Sequence, residues 1–291
     1  MEIWDFLNPI LRLIFYFASF GTLGTTLFIM HFKKNSTTRL LCHCQNIVLK
    51  SALTGVLISL ILFLSVAGNI GGDVTSVFDK SSLKLSMTSK AGIATIISLI
   101  GFLTVIISRN WHSNWKISVS IIGNILILQS FLMIGHSSRG GLITQLLLLI
   151  HLIGISYWLG ALLPFRRLCT TSETGTLLVI AHRFGVFAIG YVLVLVLAGF
   201  GFTYEVLGGI TPLIYTSYGN TLLVKISFVT LLLLLAALNK FRIVPLLKQN
   251  SHLAIKKLRI SIHFEMVFAS IVLILTSLLT TSFVLPIKDT Q

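Results

Sequence analysis

The chain has 291 residues, 55% of them hydrophobic and 10% charged, with a mean hydropathy of +0.96 and a formal net charge of +14. Soluble domains carry about 25% charged residues, so this composition excludes an ordinary water-soluble globule and places the chain in a lipid bilayer. The positive charge does not mark a nucleic-acid partner, because the lysines and arginines punctuate apolar runs, the pattern of membrane topogenesis.

Eight apolar runs reach the ~20 residues that a helix needs to cross the hydrocarbon core. Spans are expected near residues 9–32, 43–68, 91–108, 117–135, 142–165, 183–207, 220–239 and 260–284. The breaks between them carry boundary signals: KKNSTTR, GNIGGD, RNWHSNWK, GHSSRGG, RR with TTSETG, LGGITP, and the long NKFRIVPLLKQNSHLAIKKLR. No β pattern and no internal repeat interrupts them. The expected fold is therefore all-α: a single polytopic transmembrane bundle over residues 1–291. The longest loop on the less basic side runs from about Asn69 to Lys90, too short for a soluble domain. The acidic start MEIWDFLNP is not that of a signal peptide.

Charge sets the expected orientation. The odd-numbered connections hold fourteen lysines and arginines, among them Lys33, Lys34, Arg39, Arg166, Arg167, Lys256 and Arg259. The even-numbered connections and the two ends hold five, Lys80, Lys84, Lys90, Arg139 and Lys288, together with the acids Glu2, Asp5, Asp73, Asp79 and Asp289. The positive-inside rule puts the odd connections in the cytoplasm and both termini outside. Cys42 and Cys44 then lie in a reducing compartment, and three cysteines in all give no disulfide framework.

The fifth span, TQLLLLIHLIGISYWLGALLPFRR over residues 144–167, is the most informative. His151 and Trp158 stand seven residues apart, about two helical turns, and share a face. A titratable imidazole near the middle of a hydrocarbon slab is costly unless something needs it there. Other charges fall within spans as well. Arg12, Glu205 and Lys225, all near outer ends, are expected to pair, and Lys50 is close enough to the inner surface to snorkel. Glu265 sits in an apolar run in the first turns of the last span, with Arg183 or His182 at the same depth as its expected partner.

Four blocks resemble the copper resistance protein D (CopD-like) family of bacterial inner membranes. They are HLIGISYWLGALLPF, HRFGVFAIGYVLVLVLAGFGFTY, TSYGNTLLVKISFVTLLLLLAALNKFRIVPLL and LRISIHFEMVFASIVLILTSLLT. They are similar in turn to the family's His…Trp-Leu-Gly helix (with Ala161 where a second glycine is expected), its Arg-Phe helix start, its Tyr-Gly…Lys helix closed by Asn-x-x-Arg, and its last helix with an early Glu. The resemblance covers residues 144–285; the first four spans carry none. It implies a multi-pass inner-membrane protein that moves copper, usually from periplasm to cytoplasm; the termini that the charge split places outside are then periplasmic. Some relatives carry a fused periplasmic copper-binding β-domain, so here the expected donor is a separate periplasmic protein.

Copper, as Cu(I) or Cu(II), is held by thiolate, thioether and imidazole. Three levels offer such groups. At the outer rim, Met133 and His136 share a face at the end of the fourth span. At midplane, His151 lies about 13 Å below the outer end of its helix. At the inner rim stand Met30 and His31, the run Cys42-His43-Cys44, and the set His182, His263, Glu265 and Met266. Cys42 and Cys44 would point about 200° apart in a regular helix, so they share a metal only if that helix begins after them. Each group also has a plainer reading, as a core residue, a helix-end residue or half of a structural pair. The alternative function is a membrane haem or redox protein with bis-His ligation among His31, His43, His182 and His263. No Walker loop, GxSxG or HExxH is present, and no enzyme activity is expected.

Reporter fusions test the orientation. Fusions at Gly72, Gly140 and Gly209 should report the outer compartment, and fusions at Asn114, Thr171 and Asn250 the cytoplasm. A cytoplasmic report at Gly140 would break the hairpin between the fourth and fifth spans.

Overall fold

The computed structural model describes residues 3–109, 113–134, 141–171, 174–207, 211–249 and 251–282, and the regular structure among them is entirely helical. In chain order the helices are α1 (Ile3–Phe32), α2 (Thr38–Gly71), α3 (Lys80–Thr88), α4 (Lys90–Ser108), α5 (Ser113–Leu132), α6 (Leu142–Leu168) and α7 (Thr174–Leu207). There follow α8 (Thr211–Tyr215), α9 (Ser217–Leu238), a π-helical turn (Asn239–Ile243), α10 (Val244–Leu246) and α11 (Ser251–Thr281). Eight of these segments are long and apolar enough to cross a membrane: α1, α2, α4, α5, α6, α7, α9 with its continuation to Leu246, and α11. In hydrocarbon every backbone N–H and C=O must be satisfied internally, which a helix does within one segment.

Local chemistry sets the ends. Thr37 caps α2 by accepting from the N–H of Leu40 at 3.3 Å, and Gly72 closes it at φ 84, where a side chain would be strained. Ser89 caps α4 through the N–H of Gly92 at 3.0 Å, and Thr216 caps α9 through the N–H of Gly219 at 2.9 Å. Asp79 accepts from the N–H of Ser82 at 3.0 Å and starts α3 inside what the sequence marks as a loop. The hydroxyls of Ser81 and Ser82 add to that bond and hold the Asp79 carboxyl below the usual carboxylate range.

Several helices run further than hydropathy alone suggests. α2 begins at Thr38, α7 at Thr174 and α11 at Ser251, each five to nine residues before the expected span. For α11 the reason is periodicity: Ala254, Leu258 and Ile262 are buried at four-residue steps, while Lys256, Lys257 and Arg259 stay exposed. An amphipathic turn can continue a helix beyond the lipid, and mean hydropathy does not register it. We call the end that carries Lys33, Lys34, Arg39, Arg166 and Arg167 the basic end.

Helix α1 is central. It packs against α2, α6 and α11, and 61% of its apolar stretch is buried, against 11% for α7 and 6% for α9. α4 and α5 pack on each other and reach α1 mainly through α2. α7 leans on α6, α9 leans on α11, and α7 and α9 make no extensive contact with each other. Two clusters fill the interior. One joins Phe15, Phe20, Phe102, Ile127 and Leu152; the other, nearer the basic end, joins Phe28, Phe32, Tyr157, Phe165 and Ile262.

The α1–α6 contact is backbone to backbone. A methyl built on Gly24 would fall onto the carbonyl oxygen of Ser156 and within 2.7 Å of the Gly160 Cα, and one on Gly160 would fall onto the backbone of Gly24. Lipid offers no hydrophobic drive for helix association, so close packing through small residues supplies it. Replacing Gly160 by Leu should separate α1 from α6 and cost more than the ~1–3 kcal/mol typical of core overpacking, because the atoms met are backbone. Thermal unfolding in detergent checks this. Gly190→Ala, inside α7 at a position with open space around it, should not lower the melting temperature.

Candidate functional site

Helix α6 carries His151 into the interior and turns it toward α7. Its Nδ1 lies 3.1 Å from the carbonyl oxygen of Leu195. A carbonyl only accepts, so Nδ1 bears the proton and Nε2 keeps its lone pair. That is the arrangement of a metal-ligating histidine, whose second nitrogen is fixed by a carbonyl or carboxylate. Gly199 makes room for the ring: a methyl there would stand 3.1 Å from Cε1 and 3.3 Å from Nδ1 of His151. Lys225 of α9 lies within electrostatic range of His151.

Two turns further along α6, Trp158 reaches α11. Its indole N–H donates to Oε2 of Glu265 at 2.9 Å, and the Asn239 amide donates to Oε1 at 2.5 Å. Glu265 is 4% exposed and Asn239 9%. Asn239 opens the π-helical turn, and its Oδ1 is buried without a hydrogen-bond partner. Such single π-helical turns recur at functional sites. The sequence reading gave Glu265 a cationic partner in Arg183 or His182. The structure replaces both: Arg183 donates to Asn35 at 2.8 Å, and His182 is exposed on α7. Glu265 lies about 21 Å along α11, past the exposed Lys256, Lys257 and Arg259.

His263 and Glu265 are two residues apart and diverge, His263 exposed and Glu265 buried. The pairing expected among Arg12, Glu205 and Lys225 is not found: no ion pair joins them, Arg12 lies 6.0 Å from the centre of the Phe15 ring, and Glu205 is exposed. Their separate helices leave each to its own surroundings.

At the basic end, Met30 is exposed while His31 turns inward. The Nδ1 of His31 stands 2.9 Å from the Leu27 carbonyl oxygen, and its Nε2 faces the Tyr191 hydroxyl at 3.3 Å. Tyr157 stacks on Tyr191 at 4.0 Å, and the rings of Tyr157 and Phe187 stand edge-on to His31 at 5.3 and 5.4 Å. Helix α2 begins four residues before Cys42. Cys42 and Cys44 therefore sit in regular helix and face apart, Cys42 exposed and Cys44 buried, so they do not share a metal. His43 is half-buried, with the cations Arg167 and Lys50 in electrostatic range. Beyond α6, burial pushes the Cys169 thiol up to about 12 and makes it a poor ligand or nucleophile.

At the opposite end, Met133 lines a cleft of about 170 Å³ with Lys90, Gln129, Leu132 and Gln145. His136, with Arg139 and Gly140, lies outside the described residues. Among the described residues no three His, Cys, Asp or Glu side chains converge as a metal cage. The chemistry on offer is sparse and graded: a thioether at one end, one oriented imidazole at depth, and a carboxyl held by neutral donors beyond it. Asn239 as the partner of Glu265, and Tyr191 as the partner of His31, were not legible in the sequence, since 26 and 160 residues separate the members of each pair.

The chain matches two family models. Residues 3–145 match the one described as copper resistance protein D-like, N-terminal domain, and residues 178–279 the one described as copper resistance protein D. The first match covers α1 to α5, the helices in which the sequence reading found no resemblance. Most of α6, with His151 and Trp158, lies between the two. No curated protein and no solved structure matches the chain. With both models matched in order along one eight-span membrane bundle, the chain belongs to the copper resistance protein D family.

Proposed function

We propose that the protein passes copper across the bacterial inner membrane from periplasm to cytoplasm, with the basic end cytoplasmic and both termini periplasmic. The observation that carries the reading is His151, an imidazole inside the bundle whose Nδ1–H is spent on the Leu195 carbonyl and whose Nε2 is left for a ligand. Copper meets Met133 in the cleft at the periplasmic end, moves to His151, and leaves toward the basic end. The charge distribution supports this polarity. An inside-negative potential favours cation movement inward by about 2.3 kcal/mol per charge per 100 mV. The donor is a separate periplasmic copper-binding protein.

Sparse ligation fits transit better than storage. A conducting site must bind well enough to admit an ion and weakly enough to release it. Lys225 adds a constraint: it lies within electrostatic range of His151, and in its protonated form it opposes a cation arriving there. The haem reading is less well supported. The faces of His31 are filled by Tyr157, Phe187 and Tyr191, leaving no slot for a porphyrin beside it.

Copper accumulation by cells expressing the protein tests the reading. His151→Ala should leave folded protein in the membrane and reduce uptake by roughly tenfold or more, the usual scale of losing a metal ligand or its support. Gly199→Ala should lower uptake in the same direction by crowding the ring out of place. His252→Ala, on the exposed start of α11, and the Cys42→Ser/Cys44→Ser double variant should match wild type. Equal uptake by wild type and His151→Ala at equal protein level would overturn it.

A further inference from the structure

The Glu265 cluster has a donor set unlike a copper site. Both carboxyl oxygens are engaged by N–H groups, from Trp158 at 2.9 Å and Asn239 at 2.5 Å, and neither donor ligates metals. No sulfur or imidazole joins the cluster: Met266 packs into the neighbouring core, and His263 points away and is exposed. No cation pairs with it either. Lys240, beside Asn239 in the chain, gives its ammonium to the Gly185 carbonyl oxygen at 2.5 Å. Arg183 is held by Asn35. Lys225 is fourteen residues from Asn239 along the same helical segment, about 21 Å. The other titratable groups of the surrounding core are the phenols Tyr157 and Tyr191, stacked on each other, the imidazole of His31, held by Leu27 and Tyr191, and the buried thiols of Cys44 and Cys169. Glu265 is thus an acid inside the membrane whose charge nothing fixed neutralises, and such a group marks an ion or proton pathway.

One further atom points the same way. Oδ1 of Asn239 is buried without a donor, in a residue nine-tenths buried. The oxygen and nitrogen of an amide are assigned from their hydrogen bonds. With the amide turned over, Oδ1 faces Oε1 of Glu265 and can accept a carboxyl O–H. The pair Glu265–Asn239 therefore has a place for one proton in one amide orientation and for none in the other.

Resting on the copper reading above, we propose that Glu265 is a proton-exchange site, and that its proton is the one displaced when copper enters the bundle. The balance is one for one. The arriving Cu⁺ brings a single positive charge. The Glu265 carboxyl loses H⁺ to water, its O–H bond breaking heterolytically, and the Asn239 amide turns its N–H toward the new carboxylate. No electron moves. Trp158 holds Oε2 in both states and, seven residues from His151 on α6, ties the two sites to one rigid helix.

Two measurements test this on the full-length protein in detergent. The first needs no copper: acid-minus-alkaline infrared difference spectra. Wild type should show a carboxylic C=O band that is absent in Glu265→Gln and shifted in Trp158→Phe, which removes one hydrogen bond. No carboxyl difference between wild type and Glu265→Gln would overturn the proposal. The second adds Cu(I) to weakly buffered protein in a Cys42→Ser/Cys44→Ser/Cys169→Ser background, so that no thiol contributes protons. About one proton per bound copper should appear in the medium and should be lost in Glu265→Gln, which keeps its copper. Undiminished release from Glu265→Gln would overturn the coupling. Failure of wild type to bind copper at all would instead overturn the copper reading, while the infrared band still decides the protonation of Glu265.

Discussion

The backbones of α1 and α6 touch where Gly24 meets Gly160, and α2, α7 and α11 pack directly on one or both of these two helices. α1 is the hub of the bundle, and α6 is the helix that carries His151 and Trp158. Because neither glycine has a side chain, the two axes approach more closely than leucines would permit, and dispersion between them replaces the hydrophobic drive that lipid does not supply. The crossing also ties α1, within the N-terminal match, to the helix that lies mostly between the two matches. Phe28, Phe32, Tyr157 and Phe165 pack around the junction on the side of the basic end. This places α6 firmly and leaves α7 and α9, which lean on α6 and α11, as the loosely held outer helices.

That asymmetry matters for chemistry. The polar groups of the second half face the seam between the firm inner pair, α6 and α11, and the outer pair. His151 meets α7 through Leu195, and Glu265 meets α9 through Asn239. Each contact joins a side chain on a rigid helix to one on a peripheral helix. A displacement of α7 changes what His151 can bind, and a displacement of α9 changes what holds Glu265. In a low-dielectric interior such polar contacts are strong when made and costly when broken, so a small set of them can hold discrete states. The N-terminal half carries Arg12, set over the Phe15 ring, and His31, held by Leu27 and Tyr191. Among its buried hydroxyls, those of Thr22, Thr26, Ser59 and Ser98 are satisfied by their own helices or by one another, while those of Ser19 and Thr25 have no partner.

Much of the architecture was legible in sequence because the bilayer imposes one rule on every span. Length and hydropathy sufficed to place eight helices. What failed were boundaries at the basic end, where α2, α7 and α11 start five to nine residues early, and the partners of Glu265, which are Trp158 and Asn239. Individual site residues were legible by type. His151, Trp158 and Glu265 stood out as polar groups in apolar runs, and Asn239 as part of a closing motif. Their pairings were not legible, because Trp158 and Glu265 are 107 residues apart and no local period links them. The Cys-x-Cys run shows the converse. It offers a shared metal only if its helix begins after it, and the helix start at Thr38 turns its thiols away from each other.

The central claim is that copper inside this protein is held by the His151 imidazole. The X-ray absorption spectrum of the purified Cu(I)-loaded protein tests it directly. The account predicts scattering from an imidazole ring bound through nitrogen in wild type, and its loss in His151→Ala at matched copper load. Identical spectra from the two proteins, or a copper shell of sulfur alone in wild type, would contradict it.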